Sequence, residues 1–500
     1  MPSSLALAPP SPTDPRGPSR RSVLSGVAAL GLGIVGGGRL LEQAHAGAAR
    51  GPVQVPRSFV STDLTLPAMT VEKRGETAPG YLFLAPRGDG GKAGVVLDDS
   101  GQPVWIQPTD QTSITDVRLQ QVGAEPMLTY WSGDSADGHG EGTVSVVDSR
   151  LRAQPAVTPV GGDTIDLHET KVTDRGTMLT IAYTPARADL SSIGGPRDGW
   201  VYDTRVVERD LATSEPVLTW SPREHLALEE TYSTIADDVG TREKPFDVFH
   251  ANAVEDRGDT LLICFRHTHS LVLIDQATGE VQWRMGGRRS DFDIPEGVRF
   301  SWQHDARWVD EQTLSLFDNH ASEGSDPPRS RGLVLTVDQE EMTVRPRGVY
   351  QVGGITSNAE GSTQVLAGGN VVVGWGSVGR VHEFDPEGTP VLSVEMPDTH
   401  TYRAYRQEWT SRPGTKPDVG VRAEEGGTRA YVSWNGATEV TSWRVHTGAS
   451  ADSLALGSSF ERTGFESSVL VSSDGWLAVE ALDADGRRLG MSDPVQASAG

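Results

Sequence analysis

The sequence predicts an all-β protein: a six-bladed β-propeller followed by a small fibronectin-III/Ig-like C-terminal β-sandwich. Three observations carry this. Helical periodicity is scarce between residues 55 and 412, while turn signals such as Asp-Asp-Ser-Gly, Asp-Arg-Gly and Gly-Gly-Asn recur. A hairpin pattern repeats six times in that stretch. A separate run of short strands follows a Pro-Gly-Thr-Lys linker at 413–416.

The chain opens with an address. "SRRSVLSGVAALGLGIVGGG" sets Arg20 and Arg21 before a Gly-rich apolar run, and "AHA" follows at 44–46. This reads as a twin-arginine export signal over residues 1–46, cleaved after Ala46. The alternative is an N-terminal membrane anchor, for which the run is short against the ~20 residues of a span. No later stretch has that length and hydropathy. The expectation is an exported protein (secreted, cell-surface or periplasmic) with no stable membrane span after signal removal.

The repeat region runs from 55 to 412. One element is a β-branched run, an Asp, a turn and a second strand that often holds Trp. It occurs at Asp99, Asp148, Asp210, Asp275, Asp338 and Asp385. A second element precedes each of these hairpins: a polar entry, then a turn, then a strand. Examples are "DLHETKVTDRGTMLTIAY", "VFHANAVEDRGDTLLICF", "WQHDARWVDEQTLSLFD" and "GSTQVLAGGNVVVGW". Two hairpins make a four-stranded unit, and six such units make a propeller. The units average about 60 residues, longer than the ~40–45 of a WD40 blade; the excess is assigned to loops such as 187–200 and 221–246. An array of β-sandwiches is the competing architecture. Residues 417–500 carry about seven short strands with an early Trp434, the pattern of a fibronectin-III-like sandwich.

Composition narrows function. The net charge of −24 argues against nucleic acid or anionic lipid as a partner. The single cysteine, Cys264, excludes an intrachain disulfide and a cysteine-based zinc site. No Walker loop is present to cradle a nucleotide, no GxSxG elbow, and no Cys/Ser-x-Pro-x-Arg sulfatase signature surrounds "ICFRH".

His168, His250 and His304 fall at the same place in three successive repeats. A lone histidine is more often structural. Equivalent positions in a propeller converge on one mouth of the central channel, which favours a site. By strand alternation Asn252 shares the side of His250, and Arg266 lies on the next strand. Glu169 and Asp305 directly follow their histidines and point to the other face, with only a loose chance of orienting an imidazole. Three histidines and an arginine without carboxylates in register suit a sulfate or phosphate ester better than zinc, so neither metal nor cofactor is expected. A histidine can also act as a nucleophile. A non-catalytic propeller holding an anionic or sugar ligand is one alternative, and a quinone-dependent dehydrogenase is another.

The motifs "LTYWSGDSADGHGEGT", "DLHETKVTDRGTML", "DVFHANAVEDRGDTLLICFRHTHS", "FSWQHDARW", "LFDNH", "GSTQVLAGGNVVVGWGS" and "TYRAYRQEWTSRP" occur in order across most of 55–412. On these the chain closely resembles the nucleotide-independent aryl sulfate sulfotransferases. The resemblance implies a six-bladed propeller that moves a sulfuryl group from a phenolic sulfate donor to a phenolic acceptor through a sulfohistidine. It places the nucleophile on His304, sulfuryl binding and proton handling on His168 and His250, and charge stabilisation on Arg266. Asn252 and Asn319 become expected hydrogen-bond donors to substrate. Trp302 and Trp308 are expected to keep water from the His304 ring, and Asp305 or a backbone carbonyl to hold one of its nitrogens protonated. Unlike the enteric members, this chain lacks an N-terminal β-domain and a cysteine pair and adds the C-terminal sandwich. The subunit number is not fixed by the sequence.

Overall fold

In the computed structural model, residues 50–320, 329–473 and 475–497 are described, all within one compact unit, Gly47–Gly500. The export signal expected at 1–46 lies outside the described residues. Among the described residues the fold is all-β, built from many small antiparallel sheets, and the only helical pieces are 3-10 turns of three residues.

Six sheets succeed one another along residues 50–407, and a seventh, small one joins Pro86–Gly88 to Gly91–Lys92 and His400–Thr401. The second to fifth begin with Ser113–Val122, Thr170–Val172, Ala251–Asp256 and His304–Trp308, and each then adds its later strands in chain order. The sixth, Ser362–Val365 onward, is extended at its outer edge by Thr70–Lys73 and Arg50–Gln54. The first is completed from both ends of the region: Tyr405–Gln407 pairs with Tyr81–Leu84, which pairs with Gly94–Leu97 and then Pro103–Gln107.

The fourth sheet shows why its strands are continuous apolar runs rather than alternating ones. Leu261, Ile263 and Phe265 pack with Leu179, Ile181 and Val206 of the third sheet. Leu262 and Cys264 pack with Leu314, Leu316 and Leu333 of the fifth. Alternate residues feed two cores, so both faces are buried.

The recurrent aspartate has a local cause. Its carboxylate accepts the backbone N–H groups of the turn it opens, an Asx-type cap. Asp148 accepts from Arg150 and Arg152, Asp275 from Thr278, and Asp385 from Thr389. In the first hairpin the cap is Asp98, which accepts from Ser100 and Gln102. The expected Asp99 instead pairs with Lys73 and Arg406.

Neighbouring sheets are stitched by side chains. Gln120 holds Thr170 and Val172, Gln364 holds both backbone groups of Arg406, and Gln407 holds both of Leu119. The C-terminal strands form two sheets around Trp434, Trp443, Val432 and Leu477. They bind two parts of the preceding region: Asn435 exchanges two hydrogen bonds of 2.8 Å with Ile106 of the first sheet, and Glu466 accepts from Val60 and Ser61, between Arg50–Gln54 and Thr70–Lys73, at 2.7 Å.

Candidate active site

His168, His250 and His304 stand at the starts of the first strands of the third, fourth and fifth sheets. The rings of His168 and His250 meet edge to face at 4.8 Å. The segment 357–360 links His304 to Arg266, its Asn358 carbonyl accepting from Arg266 and its Glu360 amide donating to His304.

Each of the three has its Nδ1 engaged. That of His168 donates to Asp166, two residues earlier. That of His250 donates to Asp247 Oδ2 at 2.5 Å, and the His250 amide donates to Oδ1 at 3.0 Å. His304 has a neutral partner: its Nδ1 meets Asn319 Oδ1 at 2.7 Å. Asn319 Nδ2 donates to the carbonyls of Ser357 and Glu360, so its Oδ1 must be the acceptor and His304 must carry its proton on Nδ1. His304 Nε2 therefore presents a lone pair, met at 3.2 Å by the Glu360 amide. Burial, reinforced by Arg266, holds the His304 pKa well below the ordinary imidazole value. Burial likewise outweighs Asp247 at His250 and holds its pKa well below the ordinary imidazole value.

Arg266 is a strapped cation. Its Nη1 donates to His267 Nε2 at 2.9 Å and its Nη2 to the Asn358 carbonyl at 2.8 Å. Its guanidinium lies 4.6 Å from the Trp302 ring. Burial lowers its pKa only to about 10, so it stays charged. His267 donates from Nδ1 to the Asp247 carbonyl, and burial pulls its pKa down to about 4.

The backbone is left-handed at His250, His269, Trp302, Asp305 and Glu360, with φ of 54°, 52°, 56°, 52° and 65°. Such residues cost of order 1–3 kcal/mol each and gather where a fold fixes a side chain for use.

Several expectations are corrected. Asn252 does not share the side of His250. The left-handed His250 and a bulge between Ala251 and Ala253 break the alternation, and its amide donates to the Gln303 carbonyl at 2.8 Å. Asn319 orients His304 instead of facing substrate. Trp302 covers Arg266 rather than His304. Trp308, at the far end of its strand, packs against Trp283 and Arg257. Asp305 does not reach His304. It joins Glu169 and Asp116 in a buried cluster with Arg118, Arg307 and Arg403, at separations of 2.6–3.4 Å. Carboxylates do accompany the histidines: Asp166 and Asp247 were missed, although "DLH" and "DVFH" spell them out. His139, His267 and the phenols of Tyr183 and Tyr402 were also missed.

A cavity of about 510 Å³ is lined by Arg118, Arg307, Lys171, Gln120, Gln364 and Gln407, and by none of these histidines. Gln120, Gln364 and Gln407 are spent there on the sheet-to-sheet stitching above. His139, Asp247 and His250 bring possible ligand atoms within 4.8 Å of one another. Both imidazoles, however, aim at one oxygen, Asp247 Oδ2, at 3.0 and 2.5 Å. Ligands of a tetrahedral zinc ~2.0–2.1 Å away sit roughly 3.3 Å apart, so hydrogen bonding accounts for this group.

Buried imidazoles, a fixed guanidinium and carboxylates held behind two of the rings suit group transfer to and from an oxyanion. The arylsulfotransferase (ASST) family matches residues 118–396, more than half of the chain. The chain belongs to the arylsulfotransferase family, which implies sulfotransferase-type chemistry on phenolic substrates. No match is found among curated proteins. Among solved structures, the chain is similar to a protein of unknown function from Bacteroides caccae, at 11% identity and a TM-score of 0.38, covering 66% of this chain and 100% of that one. It is similar to a chain of a nidogen/laminin complex at 10% identity and a TM-score of 0.29, covering 71% and 91%. It is also similar to Kluyvelomyces marxianus Hsv2 at 12% identity and a TM-score of 0.25, covering 62% and 79%. No helix among the described residues is long and apolar enough to cross a membrane.

Proposed function

We propose that this chain moves a sulfuryl group from a phenolic sulfate ester to a phenol by a ping-pong reaction through a sulfohistidine at His304. The six successive sheets are read as blades of a propeller over 55–412, closed by Tyr405–Gln407, with a fibronectin-III-like sandwich over 417–500.

The observation that carries this reading is the tautomer of His304. A neutral imidazole with its proton fixed on Nδ1 has its Nε2 lone pair available for attack. In the first half-reaction Nε2 bonds to sulfur, the bond from sulfur to the aryl oxygen breaks, and the phenol oxygen takes a proton from one imidazole of the facing His168–His250 pair, which Asp166 and Asp247 back. The weak Glu360 contact is given up as sulfur arrives. In the second, the acceptor returns a proton to the same imidazole, its oxygen bonds to sulfur, and the N–S bond breaks. Arg266 meets the charge spread over the sulfuryl oxygens. Because Asn319 is neutral, the Nδ1 proton stays on the ring, and the sulfohistidine remains a cationic, easily displaced group.

The test is a nitrophenol burst from 4-nitrophenyl sulfate without acceptor, on the order of one per site. Mass spectrometry should place one added SO₃ on the peptide containing "FSWQHDARW", and His304→Asn should lose both burst and label. A label elsewhere, or turnover in His304→Asn, overturns the assignment. Export by the twin-arginine route belongs to the proposal. An exported protein beginning at Gly47 supports it, and an intact N-terminus overturns cleavage.

A further inference from the structure

Asp247 Oδ2 is shared by two imidazoles from different sheets. His250 approaches from its own strand through Nδ1 at 2.5 Å, and His139 from the second sheet through Nε2 at 3.0 Å. His139 follows the Asp137–Gly138 turn, whose left-handed backbone (φ 51° and 82°) swings its ring inward. There it packs between Tyr183 and Tyr202, with ring centroids at 4.4 and 4.6 Å, and lies 5.7 Å from the His250 ring.

From these contacts we infer that His139 is a positioning residue that acts through Asp247 and governs whether His250 holds a proton. This rests on the reading of His250 as a proton-handling group. The surroundings set the direction. The carboxylates facing His139 are Asp247, Asp166 and Asp137, with Glu141 near Tyr202, and the phenols are Tyr183 and Tyr202. His250 is faced by Asp247, by His267 and His168, and through His267 by Arg266. His139 is thus the imidazole with carboxylates on several sides, and His250 the one crowded by other bases and a cation.

One carboxylate cannot fully support two imidazolium ions. When His139 is protonated, its charge lies 3.0 Å from the oxygen that would otherwise stabilise protonated His250. His250 then gives up its proton and stands as a free base at Nε2. Burial opposes protonation of His139, but the hydrogen bond to Asp247 wins and raises its pKa, the direction this arrangement needs.

The experiment compares wild type with His139→Phe, which keeps a ring between the tyrosines, and His139→Gln, which keeps an N–H donor without charge. The first readout is NMR titration of the full chain with labelled histidine, following the His250 imidazole. The second is the pH profile of the acceptor half-reaction after loading from 4-nitrophenyl sulfate. Both substitutions remove the competing charge, so the His250 midpoint should rise by about one pH unit. The acidic limb of the acceptor step should move up with it, a loss of about tenfold below the midpoint, while the His139→Gln plateau at high pH is retained. An unmoved His250 midpoint in His139→Gln overturns the inference, because a purely structural role lowers the plateau without shifting the limb. Stoichiometric zinc in the wild type that is absent from His139→Phe also overturns it. The titration uses no substrate, so failure of the sulfuryl-transfer reading and failure of this inference show up separately.

Discussion

His304 Nδ1 donates to Asn319 Oδ1 over 2.7 Å, and the Asn319 amide is pinned by the Ser357 and Glu360 carbonyls. The two other histidines lean on carboxylates. The contrast defines the first prediction. Asn319→Asp places a negative charge against Nδ1, raises the His304 pKa and stabilises the sulfohistidine. Burst amplitude should persist at pH 8, the acid limb of the burst rate should move to higher pH, and acceptor-dependent release should slow by about tenfold or more. An unchanged pH limb in stopped-flow traces would refute this.

Arg266 offers two N–H edges from a plane fixed by Trp302. Arg266→Lys keeps charge but loses the fork and the stack. Arg266→Ala should cost ~10²–10³ in the rate of sulfohistidine formation, and Lys should recover only part of it. Single-turnover rates decide this, and wild-type turnover in Arg266→Ala excludes the role.

Glu169 is buried among Arg118, Arg307 and Arg403, which hold its carboxyl well below the usual range although burial opposes this. Glu169→Gln leaves three arginines with one carboxylate fewer and should cost ~3–5 kcal/mol. Urea unfolding measures the loss; a midpoint within error of wild type would mean the cluster is neutral to stability.

Acid should destabilise the fold early. Burial holds His250 and His304 well below 6.5, and pulls His267 and His382 to about 4 and His269 to about 3. A depressed histidine binds fewer protons folded than unfolded. Its stability is therefore complete above ~6.5 and is lost as pH falls toward the folded value, by up to ~1.4 kcal/mol per pH unit per group. His139, with a raised pKa, contributes the opposite sign. The urea midpoint should drop steadily from pH 7 to 5, and a flat profile would contradict the burial of these rings.

Much of this was legible in the sequence. The hairpins after the first matched because their aspartate caps are local, and the histidines stood out as candidates because they recur in register. Asn252 was misplaced because alternation fails wherever a left-handed residue and a bulge intervene, and neither is visible in "FHANA". Asp166 and Asp247 were passed over because they precede the strands. The curl of the chain into His168 and His250 returns them to Nδ1. The Tyr405–Phe83 pairing joins residues about 320 apart, which no local pattern announces.

That same pairing has a kinetic meaning. Tyr81–Leu84 leaves the ribosome early, yet one of its edges has no partner until residues 405–407 emerge. The final closure is a contact of very high sequence separation, the kind that slows folding. Until it forms, the waiting strand is an open template for the wrong neighbour. A nascent or truncated chain ending before Tyr405 should therefore aggregate or be degraded rather than persist as a partly finished protein.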